Sequence, residues 1–88
     1  MAAEEYFTPE EIAEARRYRM VIQWSDVDRV FLVSLPELDG AVAHADTAAA
    51  AAERGIELAC EWIDAYRQLG RSIPPPNNAF ESVATRAA

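Results

Sequence analysis

Glycine is scarce in this 88-residue chain: Gly40, Gly55 and Gly70 stand far apart, and no phosphate-cradling glycine-rich loop can be built from them. Cys60 is the single cysteine, which excludes an internal disulfide. No His–Cys set stands beside it to suggest a metal site, and inside its helical pattern it reads as a small core or interface residue. His44 is the single histidine. Hydroxyls such as Ser25, Ser34 and Thr47 are available, but no spacing marks one as an activated nucleophile, so His44 reads as a packed or surface residue. Basic residues are also short, 8 against 15 acidic ones for a net charge of −7. Such a surface repels phosphate backbones, and Arg16, Arg17 and Arg19 are too few for a DNA-reading face. No apolar run approaches a membrane span, and the acidic residues 1–5 lack the apolar region of a signal peptide. The expectation is a soluble, cytoplasmic protein.

What the chain does have is enough to fold. Hydrophobic residues make up 51% and charged residues 26%, which fits one small globular domain. A domain of this size buries only roughly 60% of its unfolded surface, so association with a second copy is a common source of added stability. The acidic surface would also attract and steer a basic protein partner.

Thr8-Pro9-Glu10-Glu11 is a compact helix start: a capping threonine, proline at the first helical position, and a glutamate placed to complete a capping box. A short helix is expected over 9–17. Residues 18–24 alternate, with Tyr18, Met20, Ile22 and Trp24 on one face. A polar turn at 25–29 separates them from an apolar strand over 30–35, the pattern of an antiparallel hairpin. Pro36 stops that strand, Gly40 permits a sharp turn, and 41–44 forms a third, weaker strand. Asp46 and Thr47 then cap a long helix running from Ala48, through five alanines, to Leu69, with Gly70 just past its end.

At 100° per residue, Ile56, Ala59, Cys60, Ile63 and Tyr66 fall on one face of that helix; Gly55, Leu58, Trp62, Ala65 and Leu69 fall on an adjacent one. Glu53, Glu57, Glu61, Asp64 and Gln68 share the remaining arc. The apolar arc spans roughly 220°, well beyond the ~100° that one sheet contact needs. One face is expected to cover the sheet. The second, centred on Leu58 and Trp62, needs another cover: the N-terminal helix, the tail, or another chain. Tryptophan is enriched at interface cores, which favours another chain. Three prolines at 74–76 force an extended path, and residues 77–88 form a tail in which Phe80 and Val83 could anchor one helical turn.

Asp26, Asp28, Glu37, Asp39 and Asp46 are carboxylates on loops. A two-metal nuclease needs several of them to converge, whereas aspartates in turns commonly bond their own backbone, and Asp46 has a role as a helix cap.

The ordered set of motifs resembles the HicB family of bacterial antitoxins. The residues that carry the resemblance are Tyr18, Trp24-Ser25, Asp28, Pro36-Glu37-Leu38, Gly40, His44, Asp46-Thr47, Gly70 and Ile73-Pro74-Pro75-Pro76, and they cover residues 18–76. Residues 1–17 are then an N-terminal helical extension and 77–88 a C-terminal tail. The resemblance implies an α+β fold: a small antiparallel sheet of three to four strands, in the order β-β-β-α-β, packed on one long helix as in a partial RNase-H-like fold. The final strand would lie at 73–76.

The resemblance also implies a function. Such antitoxins bind and neutralise HicA toxins, small basic ribonucleases, and assemble as dimers or tetramers. They are not enzymes, need no cofactor or metal, and do not insert in membranes. Two departures affect turns: Ala45 and Arg29 stand where the family usually has glycine. A third is that twelve residues at the C-terminal end cannot supply the DNA-binding segment many members carry, so no direct DNA binding is expected. The expected partner or oligomer contacts are Leu58, Trp62 and Leu69, with Glu61 and Asp64 steering charge. The alternatives are a solitary HicB-like oligomeric or ligand-binding module with no toxin, and a degenerate metal-dependent nuclease using Asp26, Asp28 and Asp46.

Overall fold

The computed structural model describes residues 3–77. In chain order these form a 3-10 turn at Ala3–Glu5, helix α1 (Pro9–Ala15), strands β1 (Val21–Ser25), β2 (Val30–Leu35) and β3 (Ala41–Ala45), and the long helix α2 (Ala48–Gln68). The fold is α+β, as expected: a short N-terminal helix, a three-stranded antiparallel sheet in the order β1-β2-β3, and one long helix packed on it.

The ends of the elements are set by local chemistry. Thr8 Oγ1 accepts from the Glu11 N–H and the Glu11 carboxylate accepts from the Thr8 N–H, at 3.2 and 2.8 Å, completing the capping box. Thr47, not Asp46, caps α2, accepting from the Ala50 N–H at 3.0 Å. At the other end Gly70 adopts φ +66°. The Gly70 N–H bonds to the Arg67 carbonyl and the Arg71 N–H to the Tyr66 carbonyl, the paired closure of a Schellman motif.

Both hairpin turns use left-handed backbone. Between β2 and β3, Asp39 and Gly40 both have positive φ and the Ala41 N–H bonds back to the Leu38 carbonyl. This is the Asp-Gly pattern of the type I′ turn, whose twist matches paired strands. Between β1 and β2, the Arg29 N–H bonds to the Ser25 carbonyl, and Ser25 Oγ accepts from the Asp28 N–H. Arg29 sits at φ +59°, a conformation that glycine takes with less strain.

Antiparallel register assigns the two sheet faces. Ile22 pairs with Val33, which pairs on its other side with Ala43, and Trp24 pairs with Phe31, which pairs with Ala45; with Leu35 and Ala41 these side chains lie on the helix side. Val21, Ser34 and Val42 form one row of the outer face, Gln23, Leu32 and His44 another. Val33, Leu35 and Leu38 are fully buried. Leu35 and Leu38 belong to a core closed by Leu58, Ala59, Cys60, Ile63 and Tyr66 of α2 and by Ile12 and Ala15 of α1.

Three sequence expectations change. The first strand begins at Val21, not at residue 18: Tyr18 lies in the preceding turn, is buried, and donates from its hydroxyl to the Pro74 carbonyl at 2.6 Å. No fourth strand forms among the described residues. Residues 73–77 run beside the core without pairing to the sheet, because the prolines at 74–76 remove the donors a ladder needs. The two apolar faces of α2 also have covers other than those expected. A Cβ on Gly55 would meet Met20 Sδ at 2.7 Å and Val33 Cγ2 at 3.0 Å, so the Gly55 face is the one turned to the sheet. The Cys60 and Ile63 side meets α1, where Cys60 Sγ lies 3.7 Å from the Glu11 carbonyl and Arg67 pairs with Glu14. The wide apolar arc is thus largely closed within one chain. The suggested helical turn at Phe80 and Val83 lies outside the described residues.

Candidate interaction surface

The sequence-derived contact residues divide sharply. Leu58 is part of the core, and Trp62 is half-buried against it with its ring 6.2 Å from that of Tyr66. Leu69 is 70% exposed. Glu61 and Asp64 are exposed on α2, Glu61 lying 3.6 Å from Arg54 and Asp64 accepting from Gln68 Nε2. The five do not form one patch: Leu58 and Trp62 turn inward, while Leu69, Glu61 and Asp64 remain available.

The larger apolar exposure is on the sheet. Helix α2 lies over β2 and β3 and reaches β1 only lightly. Ile22 and Trp24 therefore remain 37% and 43% exposed although they point to the helix side. Trp24 is held in place: its ring meets Phe31 edge-on at 5.1 Å, its Nε1 donates to Asp26 at 2.9 Å, and the Arg29 guanidinium lies 5.9 Å over it. On the outer face Val21 and Val42 are exposed, and Val27 at the hairpin tip is 91% exposed. Both edge strands, VIQWS and AVAHA, carry no Asp, Glu, Lys, Arg or Pro, the residues that ordinarily keep an edge from pairing with another chain.

Residues of the Pro36-Glu37-Leu38 motif serve the fold. Leu38 is fully buried. Glu37 accepts from the Arg19 N–H and the Arg19 guanidinium, both at 3.0 Å, and from the Asn77 N–H at 3.4 Å. Burial works against its charge, but these donors outweigh it and hold its pKa below the ordinary carboxylate value. The Tyr66 hydroxyl donates to Asp39 at 2.6 Å, and this bond raises the phenol pKa. Cys60 is buried, and burial pushes its thiol up to about 11, so it is a poor nucleophile at neutral pH. His44 is exposed on β3. Among the described residues, no three His, Cys, Asp or Glu side chains are grouped so as to hold a metal ion, and no helix is long and apolar enough to cross a membrane.

One feature was not legible in the helical wheel. Glu57, placed by periodicity among the solvated acids, is only 5% exposed. Its Oε1 lies 3.5 Å from Arg54 Nη1, and its Oε2 has no hydrogen-bond partner.

Comparisons with protein-family models, with curated proteins and with solved structures found no match to this chain.

Proposed function

We propose that this chain is a non-catalytic, antitoxin-like protein of the cytoplasm that binds and neutralises a small, basic, HicA-like mRNA-cleaving toxin, acting as a homo-oligomer. The observation that carries the reading is the bare, uncharged β1 edge with Val21, Ile22 and Trp24 beside it, on a molecule of net charge −7. Apolar patches rimmed by charge mark protein interfaces, and a tryptophan held by ring stacking and a hydrogen bond is a pre-organised anchor. The acidic arc of α2, with Glu61 and Asp64, supplies attraction for a basic partner. Trp24 and Ile22 join Leu69, Glu61 and Asp64 as the contact residues of this reading, while Leu58 and Trp62 serve the core. The ordered motifs from Tyr18 to Pro76 are the reason for naming a HicA-like toxin as the partner.

The test is affinity capture from the native host followed by titration. A stoichiometric small basic protein whose RNA cleavage is abolished by one equivalent of this chain is the expected result. Recovery of the chain alone overturns the reading. The second reading, a solitary self-assembling module, is favoured by the two uncharged edge strands, which suit pairing with a second copy. It predicts a homo-oligomer in sedimentation with no co-purifying protein.

A further inference from the structure

Beside β3, the side of α2 forms a groove of about 370 Å³ lined by His44, Ala45, Ala50, Glu53, Arg54, Glu57 and Glu61. Three carboxylates face a single arginine there. Glu57 is the informative one, since it is almost wholly buried and its Oε2 lacks any donor. A buried carboxylate oxygen without a partner costs free energy, and native structures rarely leave one so. Arg54 compensates poorly: it is shared between Glu57 at 3.5 Å and Glu61 at 3.6 Å, whereas a good charge-assisted bond is about 2.7–2.9 Å.

We propose that this groove is a receptor for a cationic side chain, an arginine or lysine of a basic partner protein, which takes the place of Arg54 and completes the hydrogen bonding of Glu57. The occupant follows from charge: three glutamates against one arginine leave the lining negative, and the missing group is a donor. Arg54 is a stand-in held by two long contacts, so displacing it forfeits little, and a guanidinium approaching from outside can bond Glu57 while lying against Glu53 and Glu61. The proposal names where a basic partner inserts a side chain and so rests on the reading of this chain as a binder of one. The groove, however, can be tested without any toxin.

The experiment is an NMR titration of the full chain with acetyl-Gly-Arg-Gly-amide, with the norleucine analogue as control. Shifts concentrated at His44, Arg54 and Glu57 with the arginine peptide alone are expected. Glu57→Gln should weaken binding about tenfold, the scale of one hydrogen bond to a charged group, while Asp28→Asn, which removes the same charge at the β1–β2 turn, should leave it unchanged. Arg54→Ala, by vacating the groove, should tighten binding several-fold; it also guards against a Glu57 variant that fails to fold. Equal weakening by Glu57→Gln and Asp28→Asn, or weaker binding in Arg54→Ala, overturns the proposal. Failure to recover a basic ribonuclease from the host bears only on the toxin, not on the groove.

Discussion

The two sides of this sheet are built from similar strands and end in different states. At β3, α2 lies directly overhead, Ala41 is buried, and the following helix is capped by Thr47. The turn leading into β3 is fastened twice, by Tyr66 to Asp39 and by Arg19 to Glu37. At β1 the helix falls short, four of five residues are exposed, and the turn that follows is held by local contacts: Ser25, the Trp24–Asp26 bond and Arg29 over Trp24. The difference lies in what covers the strand rather than in propensity: one helix over three strands leaves an outer one bare. Stability is therefore concentrated around β2, β3 and α2, and the surface available for recognition is concentrated at β1.

That contrast is open to direct attack. Leu38→Ala, on the covered side, should cost about 2–5 kcal/mol, the range for a fully buried leucine, whereas Ile22→Ala on the bare side should cost about 1 kcal/mol or less. Urea denaturation reads both, and comparable losses would erase the distinction. Gly55→Val should destabilise by about 1–3 kcal/mol, because its Cβ would run into Met20 and Val33; an unchanged midpoint would mean that α2 does not press on β2 as described.

The third prediction concerns acid. The pKa of Glu37 is lowered on folding, so the stability it adds is present above the ordinary value of 4.5 and is lost as pH falls through the lower folded value. Thermal midpoints of the wild type should drop over that interval, and Glu37→Gln should flatten the drop while leaving the β1 turn unaffected. The smallest effect belongs to Arg29→Gly. Relief of left-handed strain of about 1–2 kcal/mol, offset by the greater freedom of glycine in the unfolded chain, should leave a gain of about 0.5 kcal/mol. A loss instead would show that the Arg29 guanidinium over Trp24 matters more than the backbone.

Much of the covered side was legible in the sequence because it is written in local signals. The capping box at Thr8 and Glu11, the Asp39-Gly40 turn and the glycine after α2 each depend on neighbours within a few residues. Arg29, at the end of the polar turn over 25–29, adopts the left-handed backbone that glycine favours. What escaped was set by distant partners. Tyr18 continues the alternation of a strand, yet its hydroxyl is claimed by Pro74, and the strand starts three residues later. Periodicity gave two apolar faces of α2 but turned the wrong one to the sheet: the face with Gly55, Leu58 and Trp62 meets it, because Gly55 allows Met20 and Val33 to approach. Glu57 has the wheel position of a surface acid and the burial of a core residue, a conflict visible only once β3 lies alongside. The bare side was least legible: alternation at 21–24 foretells a strand but not that the helix stops short of it.

The bond from Tyr18 to Pro74 joins residues 56 apart in the chain, and the pair of Arg67 with Glu14 joins residues 53 apart. The two hairpins close over only a few residues. Loop-closure entropy makes short closures cheap and early and long ones late. The order of assembly this implies is sheet first, helix onto sheet second, and the two flanking segments last, clasped across α2 from opposite ends of the sequence. Release of residues 73–77 breaks the Tyr18–Pro74 and Asn77–Glu37 bonds but no strand pairing, so this segment can open locally while the ladders of both hairpins persist.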